Sequence, residues 1–292
     1  MRPVPRELYP FDGRRFELPD GIGMHYLDEG AGEPVLMVHG NPTWSFFYRD
    51  LVLGLADRAR CVVPDHVGCG LSDRPGDDRY RYTLSRRIAD LEALVDRLGL
   101  DRVTLVVHDW GGMIGLGWAV RHPEQVCRLV VLNTAAFHLP AGKRVPWQLR
   151  LVRDTALGAF LVGRLNAFAR GAAWLAASRR LPAAVRDAYC APYDTPANRL
   201  ATLRFVQDIP LAPGDPAHDA VSEVSARLHL LADRPILVCW GMRDFVFDGD
   251  YLEEFRRRWP RAEVHRFADA GHWVLEDAGE RILPLVRAHL ER

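Results

Sequence analysis

An apolar run, a tight turn and a glycine-rich stretch follow one another between residues 102 and 121, and they constrain the fold more than any other feature. The run 102–107 is apolar and rich in β-branched residues, which is typical of a strand buried on both faces of a parallel sheet. Residues 113–121 have the composition of a helix, which His122-Pro123 would end. A fully buried strand followed at once by a helix predicts an α/β fold.

The same alternation of strand and helix extends along most of the chain. Residues 15–18 and 24–28 predict an N-terminal hairpin around Asp20-Gly21. Short apolar runs predict six more strands, at 35–38, 61–63, 103–107, 129–132, 236–240 and 263–267. Helical stretches separate most of them, and the clearest is 84–98. We therefore expect a mostly parallel, eight-stranded sheet with helices on both faces.

The alternation breaks between residues 135 and 225. This stretch has no clear buried strand, is rich in Ala, Leu, Arg and aromatic residues, and contains eight prolines that would divide it into short helices. We interpret it as a helical cap domain, inserted into a core domain formed by residues 1–134 and 226–292. A cap over the carboxyl ends of the strands would exclude water from a site there.

Composition excludes several classes of partner. The chain of 292 residues has 38 basic and 38 acidic side chains, so its net charge makes no electrostatic case for nucleic acid or an anionic membrane. Five cysteines without C-x-x-C or Cys/His ligand spacing indicate reduced thiols and no metal site. No run approaches the roughly 18 apolar residues of a membrane span, and no secretory signal is apparent. We expect a cytoplasmic protein without a membrane span.

Asp109 occupies the turn between the predicted strand and helix. The context resembles the nucleophile elbow of α/β-hydrolases, although Val107 replaces the first glycine of G-x-S-x-G and the carboxylate replaces its serine. A carboxylate is ionised at neutral pH without help. It can therefore attack carbon with no base to remove a proton, which favours displacement at saturated or strained carbon over ester hydrolysis.

Two further residues complete a catalytic set in the chain order nucleophile, acid, histidine. Asp244 follows the predicted strand 236–240 and His272 follows the last strand, so both should lie at the same sheet edge as Asp109. His272 would act as general base on water, and Asp244 would orient it. Each residue alone could be a turn, cap or packing residue, but three at successive strand ends favour function. Asn133, where another acid could stand, is neutral.

Asn41 and Trp110 would flank the nucleophile. Backbone N–H groups of the loop after strand 35–38 and of the residue after the nucleophile build an oxyanion hole in such sites. Here the same residues also offer an amide and an indole as neutral N–H donors, which suit a soft leaving anion such as halide. The alternative is that Asn41 is a turn residue and Trp110 packs the helix on the sheet.

Three motifs resemble those of the haloalkane dehalogenases of the α/β-hydrolase superfamily. They are His-Gly-Asn-Pro-Thr-Trp-Ser at 39–45, His-Asp-Trp-Gly-Gly at 108–112 and Gly-His at 271–272. The resemblance covers essentially the whole chain and implies an α/β-hydrolase fold with a cap. It also implies that Asn41 and Trp110 stabilise halide, and the position of the acid resembles the third subfamily.

Two other stretches, 132–140 and 204–211, resemble the β-lactone decarboxylases of bacterial long-chain olefin biosynthesis. These are close relatives that share the same triad. The resemblance implies a cis-3,4-dialkyl β-lactone as the native substrate, with dehalogenation as a side activity. It also implies assembly with neighbouring pathway enzymes, and a homo-oligomer is the other arrangement we consider.

Our main prediction is a haloalkane dehalogenase that needs no cofactor. Asp109 would displace halide and form an alkyl-enzyme ester, and water activated by His272 and Asp244 would hydrolyse it. The alternative is β-lactone decarboxylation with the same residues, and in both cases the substrate is small and apolar. Candidate pocket residues are Phe137, Trp147, Phe168, Phe205 and Phe245.

Two less favoured functions remain. Epoxide hydrolysis also uses an aspartate nucleophile and needs cap tyrosines, for which Tyr189 and Tyr193 are candidates; Asn41 stands where epoxide hydrolases usually have a bulky residue. A non-catalytic, ligand-binding member of the fold class is the other alternative, which the complete triad disfavours.

Overall fold

The computed structural model describes residues 3–292 and contains one eight-stranded sheet with the strand order β1-β2-β4-β3-β5-β6-β7-β8. The strands are β1 Arg14–Glu17, β2 Gly23–Glu29, β3 Pro34–Val38, β4 Arg60–Pro64, β5 Val103–Asp109, β6 Val126–Thr134, β7 Ile236–Gly241 and β8 Glu263–Phe267. The β1–β2 and β2–β4 pairs are antiparallel and the others are parallel. The predicted α/β fold with a mostly parallel, eight-stranded sheet is confirmed.

The central strands are mostly apolar because helices cover both faces of the sheet. Every residue of β5 is buried. Successive side chains of a strand point to opposite faces, so Val106 packs into one hydrophobic core and Val107 into the other. The sheet lies between the two cores. The edge formed by the carboxyl ends of its parallel strands is therefore where a site can form.

Eleven α-helices occur in the described residues. They are α1 Arg49–Leu55, α2 Leu84–Leu98, α3 Trp110–Ala119, α4 Trp147–Asp154, α5 Ala156–Leu165, α6 Ala167–Leu175, α7 Ala183–Cys190, α8 Leu200–Gln207, α9 His218–Arg227, α10 Gly249–Arg258 and α11 Val274–Leu290. The predicted helix 84–98 is α2: the Thr83 side chain caps its first turn, and Gly99, with a φ of 58°, ends it. Helix α3 begins three residues before the predicted start at 113, because the turn is completed within Asp109 itself.

Helices α4 to α8 follow one another between β6 and β7. Helix α9 crosses the predicted cap boundary at 225, and it packs on α3 through Val221 and Val224 in the same core as Trp118. The division into a core domain and a cap domain of residues 135–225 stays a prediction. No helix within residues 3–292 has both the length and the apolar composition needed to cross a bilayer.

Candidate active site

Asp109 is the last residue of β5 and stands on a strained turn. Its φ of 52° and ψ of −130° put a non-glycine residue in a rarely populated region. The turn is tightly enclosed: a Cβ on Gly40 would lie 1.9 Å from Asp109 Oδ1, and a Cβ on Gly111 would lie 1.9 Å from the Val38 carbonyl oxygen. The Thr134 hydroxyl donates to the Asp109 carbonyl oxygen. The fold therefore presents one carboxylate at the strand edge in a single orientation.

His272 lies between two carboxylates. Its Nδ1 is 2.8 Å from Asp244 Oδ2 and its Nε2 is 3.5 Å from Asp109 Oδ2. Since an ionised carboxylate only accepts hydrogen bonds, Nδ1 carries a proton that it donates to Asp244. The structure thus brings together Asp109, His272 and Asp244, the three residues that the sequence predicts at separate strand ends.

The side chain of Asp244 is held by the loop that follows β7. Its Oδ1 accepts the backbone N–H groups of Val246, at 2.7 Å, and Phe247, at 3.0 Å. Its Oδ2 accepts the Asn133 amide at 3.0 Å in addition to His272. With four donors around two oxygens, this carboxylate has one orientation, which in turn sets that of the imidazole.

The charges of the site shift two pKa values in opposite directions. Burial acts to lower the pKa of His272, but the negative charges of Asp244 and Asp109 outweigh it and raise the pKa to about 10. Burial acts to raise the pKa of Asp109, but its hydrogen bond to His272 and the positive charge there lower it below the usual value. The free site therefore holds an imidazolium between two carboxylates at neutral pH.

Asn41 contacts Asp109 through its backbone N–H and helix α8 through its side chain. Its N–H donates to Asp109 Oδ1 at 2.5 Å, and its Nδ2 donates to the Thr202 carbonyl oxygen in α8 at 3.0 Å. Nδ2 carries two hydrogens, so one remains for a ligand. The Trp110 indole also lines the cavity, and its N–H has no acceptor among residues 3–292. Both predicted donors therefore lie beside Asp109.

A cavity of about 360 Å³ lies over these residues, and its walls are largely apolar. Asp109, His272, Asn41 and Trp110 all line it. Four of the five aromatic residues predicted for the pocket line it: Phe137, Trp147, Phe168 and Phe245. Aliphatic side chains complete the wall, among them Met113, Leu139, Leu149, Leu161, Leu175 and Ile209. Within residues 3–292, no three His, Cys, Asp or Glu side chains come together as metal ligands.

Phe205, predicted as a pocket residue, does not line the cavity. Its ring packs behind Trp110, with centroids 5.5 Å apart, and the Arg87 guanidinium lies 3.6 Å from its centroid. The aromatic ring covers a buried cation instead of contacting a ligand. This position corrects the prediction, which had no means of separating cap aromatics that face the cavity from those that face the core.

The two cap tyrosines are also directed away from the cavity. Tyr189 is buried and donates to Glu276 Oε1 at 2.5 Å, while the Tyr193 hydroxyl is 3.4 Å from the Thr43 carbonyl oxygen. Neither lines the cavity. The feature that would favour epoxide hydrolysis, a tyrosine pair facing the nucleophile, is therefore not formed by these residues.

Two residues that support the site were not assigned a role from the sequence. Asn133 donates to both Asp244 Oδ2 and the Gly241 carbonyl oxygen, each at 3.0 Å. His108 is fully buried, and burial together with the positive charge of His272 lowers its pKa to about 3, so its neutral ring donates from Nε2 to the His272 carbonyl oxygen at 2.8 Å. The sequence feature that could have identified both residues is a polar side chain near the end of an otherwise apolar strand.

The chain is similar to several known proteins. Residues 33–279 match the family model described as alpha/beta hydrolase fold. The chain is 52% identical to the cis-3-alkyl-4-alkyloxetan-2-one decarboxylase of Xanthomonas campestris, over 97% of each chain. It is 34% identical to haloalkane dehalogenase 2 of Mycobacterium tuberculosis, over 94% of each chain. The crystal structure of the haloalkane dehalogenase DatA from Agrobacterium tumefaciens is similar, with a TM-score of 0.87, 26% identity and 99% of each chain covered.

Proposed function

Because this chain belongs to the α/β-hydrolase family, we propose that it converts cis-3-alkyl-4-alkyloxetan-2-ones into alkenes and carbon dioxide, with Asp109 as the nucleophile. The observation that carries the proposal is the 52% identity to a decarboxylase of this substrate over 97% of both chains. The similarity to dehalogenases is lower, at 34%. The decarboxylase alternative from the sequence is therefore better supported than dehalogenation, the main prediction.

In the first step, a carboxylate oxygen of Asp109 attacks C4 of the lactone and the bond between C4 and the ring oxygen breaks. The released oxygen becomes part of a carboxylate that stays attached to C3, and relief of ring strain favours the step. The N–H donors of Asn41 and Trp110, which line the cavity, would stabilise this new anion as they would a departing halide. The intermediate is an alkyl ester of Asp109.

In the second step, the bond between C3 and the carboxylate carbon breaks. Its electron pair forms the C3–C4 double bond, CO2 departs and Asp109 leaves as a carboxylate. Attack inverts C4, and departure from the opposite face then yields a cis alkene from a cis lactone. The atoms balance without water, so the reaction needs no general base.

The charge of His272 fits this scheme. A pKa raised to about 10 leaves the free enzyme with an imidazolium, which cannot take a proton from water but does stabilise Asp109 as a leaving carboxylate. Dehalogenation, in contrast, needs a neutral His272 to activate water. That form would become accessible only after esterification removes the charge of Asp109, which is one of the two charges that raise the pKa.

The proposal is tested by incubating the protein with a cis-3,4-dialkyl β-lactone and, separately, with 1-bromo- and 1-iodoalkanes. Olefin, CO2 and halide are measured in parallel, with Asp109→Asn as the control that keeps side-chain size but lacks the nucleophile. We expect one olefin per CO2 and slower halide release, both absent from the control. Fast halide release with the lactone untouched would instead assign a dehalogenase. Assembly with pathway enzymes, a homo-oligomer and a cytoplasmic location stay predictions.

A further inference from the structure

Positive charge is concentrated in one segment of the cap. Residues 143–180 contain eight lysines and arginines and a single acid, Asp154, which gives this segment a net charge of +7. Since the whole chain has 38 basic and 38 acidic residues, the rest has an excess of seven acids. The charge balance on which the expectation of no anionic partner was based holds for the whole chain and not for this segment.

Large apolar side chains are exposed in the same segment. Ten large hydrophobic residues are exposed in residues 3–292, and six of them lie within residues 147–175. They are Trp147, Leu157, Phe160, Leu165, Trp174 and Leu175. Trp147 is 70% exposed and Leu175 69%. A cluster of this kind is uncommon on a surface that contacts only water.

Helix α5 combines both features on one side. Its buried residues are Gly158 and Val162, while the exposed positions recur at helical spacing. The exposed residues of this stripe are Leu157, Phe160, Arg164 and Leu165. The outer surface of α5 therefore presents apolar groups with a cation among them.

Helix α6 repeats the arrangement. Ala169 and Ala173 are buried on its inner side, and Arg170, Trp174 and Leu175 are exposed on its outer side. Helices α5 and α6 contact each other and are separated by Asn166 alone, so both exposed stripes belong to one region of the surface. Basic residues mixed with Trp, Phe and Leu are the composition of helices that lie in the plane of a membrane interface.

Most of the arginines in this segment have no acidic partner. Lys143, Arg150 and Arg153 pair with aspartates. The other five arginines form no ion pair with a carboxylate of the described chain. They are Arg144, Arg164, Arg170, Arg179 and Arg180, and all are exposed. Their charges are available to an external anion.

The cavity opens within this surface. Trp147, Leu175 and Phe245 line the cavity and are at the same time more than half exposed. An apolar molecule that entered between them would meet these three apolar side chains at the exposed edge of the cavity, where Gln148 is a polar neighbour. The mouth of the active site and the basic, apolar face are thus continuous.

We propose that this face, formed by residues 144–180, docks on an anionic lipid bilayer, with α5 and α6 in the interface and the cavity mouth toward the acyl chains. Free arginines attract the lipid phosphates, and the aromatic and leucine side chains insert below them. A second copy of the chain is a poor occupant, because the same positive charges would face each other. Docking does not depend on the reaction; delivery of an apolar lactone from the bilayer rests on the proposed function.

The first test is co-sedimentation of the full chain with vesicles of phosphatidylglycerol and phosphatidylcholine, compared with phosphatidylcholine alone. We expect binding to the anionic vesicles only. Reversal of two charges in R164E/R170E should weaken it by at least about tenfold, given the attraction of each basic residue to an anionic surface. The matched control R81E/R97E makes the same charge change at exposed, unpaired arginines outside the cap and should bind as the parent does.

The second test uses intrinsic fluorescence. Of the eight tryptophans, only Trp147 and Trp174 are exposed and the other six are buried. Binding should shift the emission to shorter wavelength, and the shift should disappear in W147F/W174F. Equal loss of vesicle binding in R164E/R170E and in R81E/R97E would overturn the proposal. So would self-association that R164E/R170E abolishes in a chain that does not bind vesicles. Vesicle binding is scored without substrate, so failure of the lactone assay leaves this test intact.

Discussion

Asp109 and His272 share one ionised cluster, and the fate of that cluster differs between the two candidate reactions. Decarboxylation regenerates the Asp109 carboxylate when the alkene forms, whereas dehalogenation leaves an ester that only activated water can remove. The histidine is therefore a stabilising charge in one reaction and an essential base in the other. This difference makes His272 the residue at which the two activities are separable.

We expect His272→Phe to affect the two reactions unequally. With a haloalkane, the variant should release one equivalent of halide and retain the alkyl group, with turnover reduced by at least about 100-fold through loss of the general base. Olefin formation from the lactone should fall by a smaller factor. Mass spectrometry of the intact protein detects the adduct. Equal loss of both activities, with no adduct, would show that the histidine is needed for the first attack.

The raised pKa of His272 also predicts a pH dependence of stability. Its folded-state pKa of about 10 lies above the usual value of 6.5, so protonation favours the folded state. The stabilisation is complete below about pH 6.5, the pKa expected in the unfolded chain, and is lost as pH rises through about 10. We expect the difference in free energy of unfolding between the parent and His272→Gln to shrink over that window in urea titrations. A constant difference would contradict the assigned ion cluster.

At the scale of elements, the close approach of α3 to β3 fixes the position of Asp109 at the sheet edge. A Cβ on Gly111 would meet a backbone oxygen at 1.9 Å, and backbone cannot move aside cheaply. Gly111→Ala should destabilise the fold by about 1–3 kcal/mol through overpacking. Gly279→Ala is the matched control, because Gly279 lies within α11 with nothing within 4 Å of its Cβ position. The control should be about 0.5–1 kcal/mol more stable, as thermal unfolding would measure.

The same elements explain which parts of the structure were predictable. Central strands such as β5 are buried on both faces, so their apolar composition alone identifies them as strands. Helix α2 was predictable from its ends, because Thr83 is its N-cap and Gly99 follows its last turn. Helices α4 to α8 are short, and their packing depends on contacts between residues distant in the chain. The side toward which Phe205 points is decided by Arg87, and no local pattern encodes that contact.

The positions of the candidate catalytic residues were predictable for a related reason. Parallel strands bring their carboxyl ends to one edge of the sheet. A polar residue at the end of a predicted strand can therefore be placed at that edge from the sequence alone, as Asp109, Asp244 and His272 were. The support from Asn133 was not predictable in the same way, because an amide at a strand end has no chemistry of its own. Its role arises from the 3.0 Å contact with Asp244.

For the molecule as a whole, a buried ion pair between α1 and α11 receives a hydrogen bond from α7, one of the helices inserted between β6 and β7. Glu276 in α11 accepts from Arg49 in α1 at 2.5 and 3.1 Å, and the hydroxyl of Tyr189 in α7 donates to the same carboxylate. Glu276→Ala removes the two closest carboxylate contacts of the buried guanidinium and leaves it the Phe46 carbonyl oxygen at 3.1 Å and the Asp50 carboxylate at 3.4 Å. We therefore expect a loss of about 3 kcal/mol in the free energy of unfolding, the lower end of the cost of breaking a buried pair. Tyr189→Phe removes only the hydrogen bond from the cap.

The two variants differ in what they report. Tyr189→Phe should cost about 1 kcal/mol, the usual net value of one hydrogen bond. Urea titration measures both losses, and proteolysis of the native state measures how readily the cap segment opens. If Tyr189→Phe lost as much free energy of unfolding as Glu276→Ala, the hydrogen bond from α7, and not the ion pair, would be the main stabilising interaction of this contact.

A single hydrogen bond also couples the chemistry to the position of the cap. The Asn41 amide donates to the Thr202 carbonyl oxygen in α8, so any movement of α8 away from the sheet withdraws the acceptor that orients this amide. The orientation of this amide is therefore set by a helix inserted between β6 and β7 and not by the strand edge that carries Asp109. A substitution that displaced α8 would change the polar lining beside Asp109 without touching the residues of the sheet.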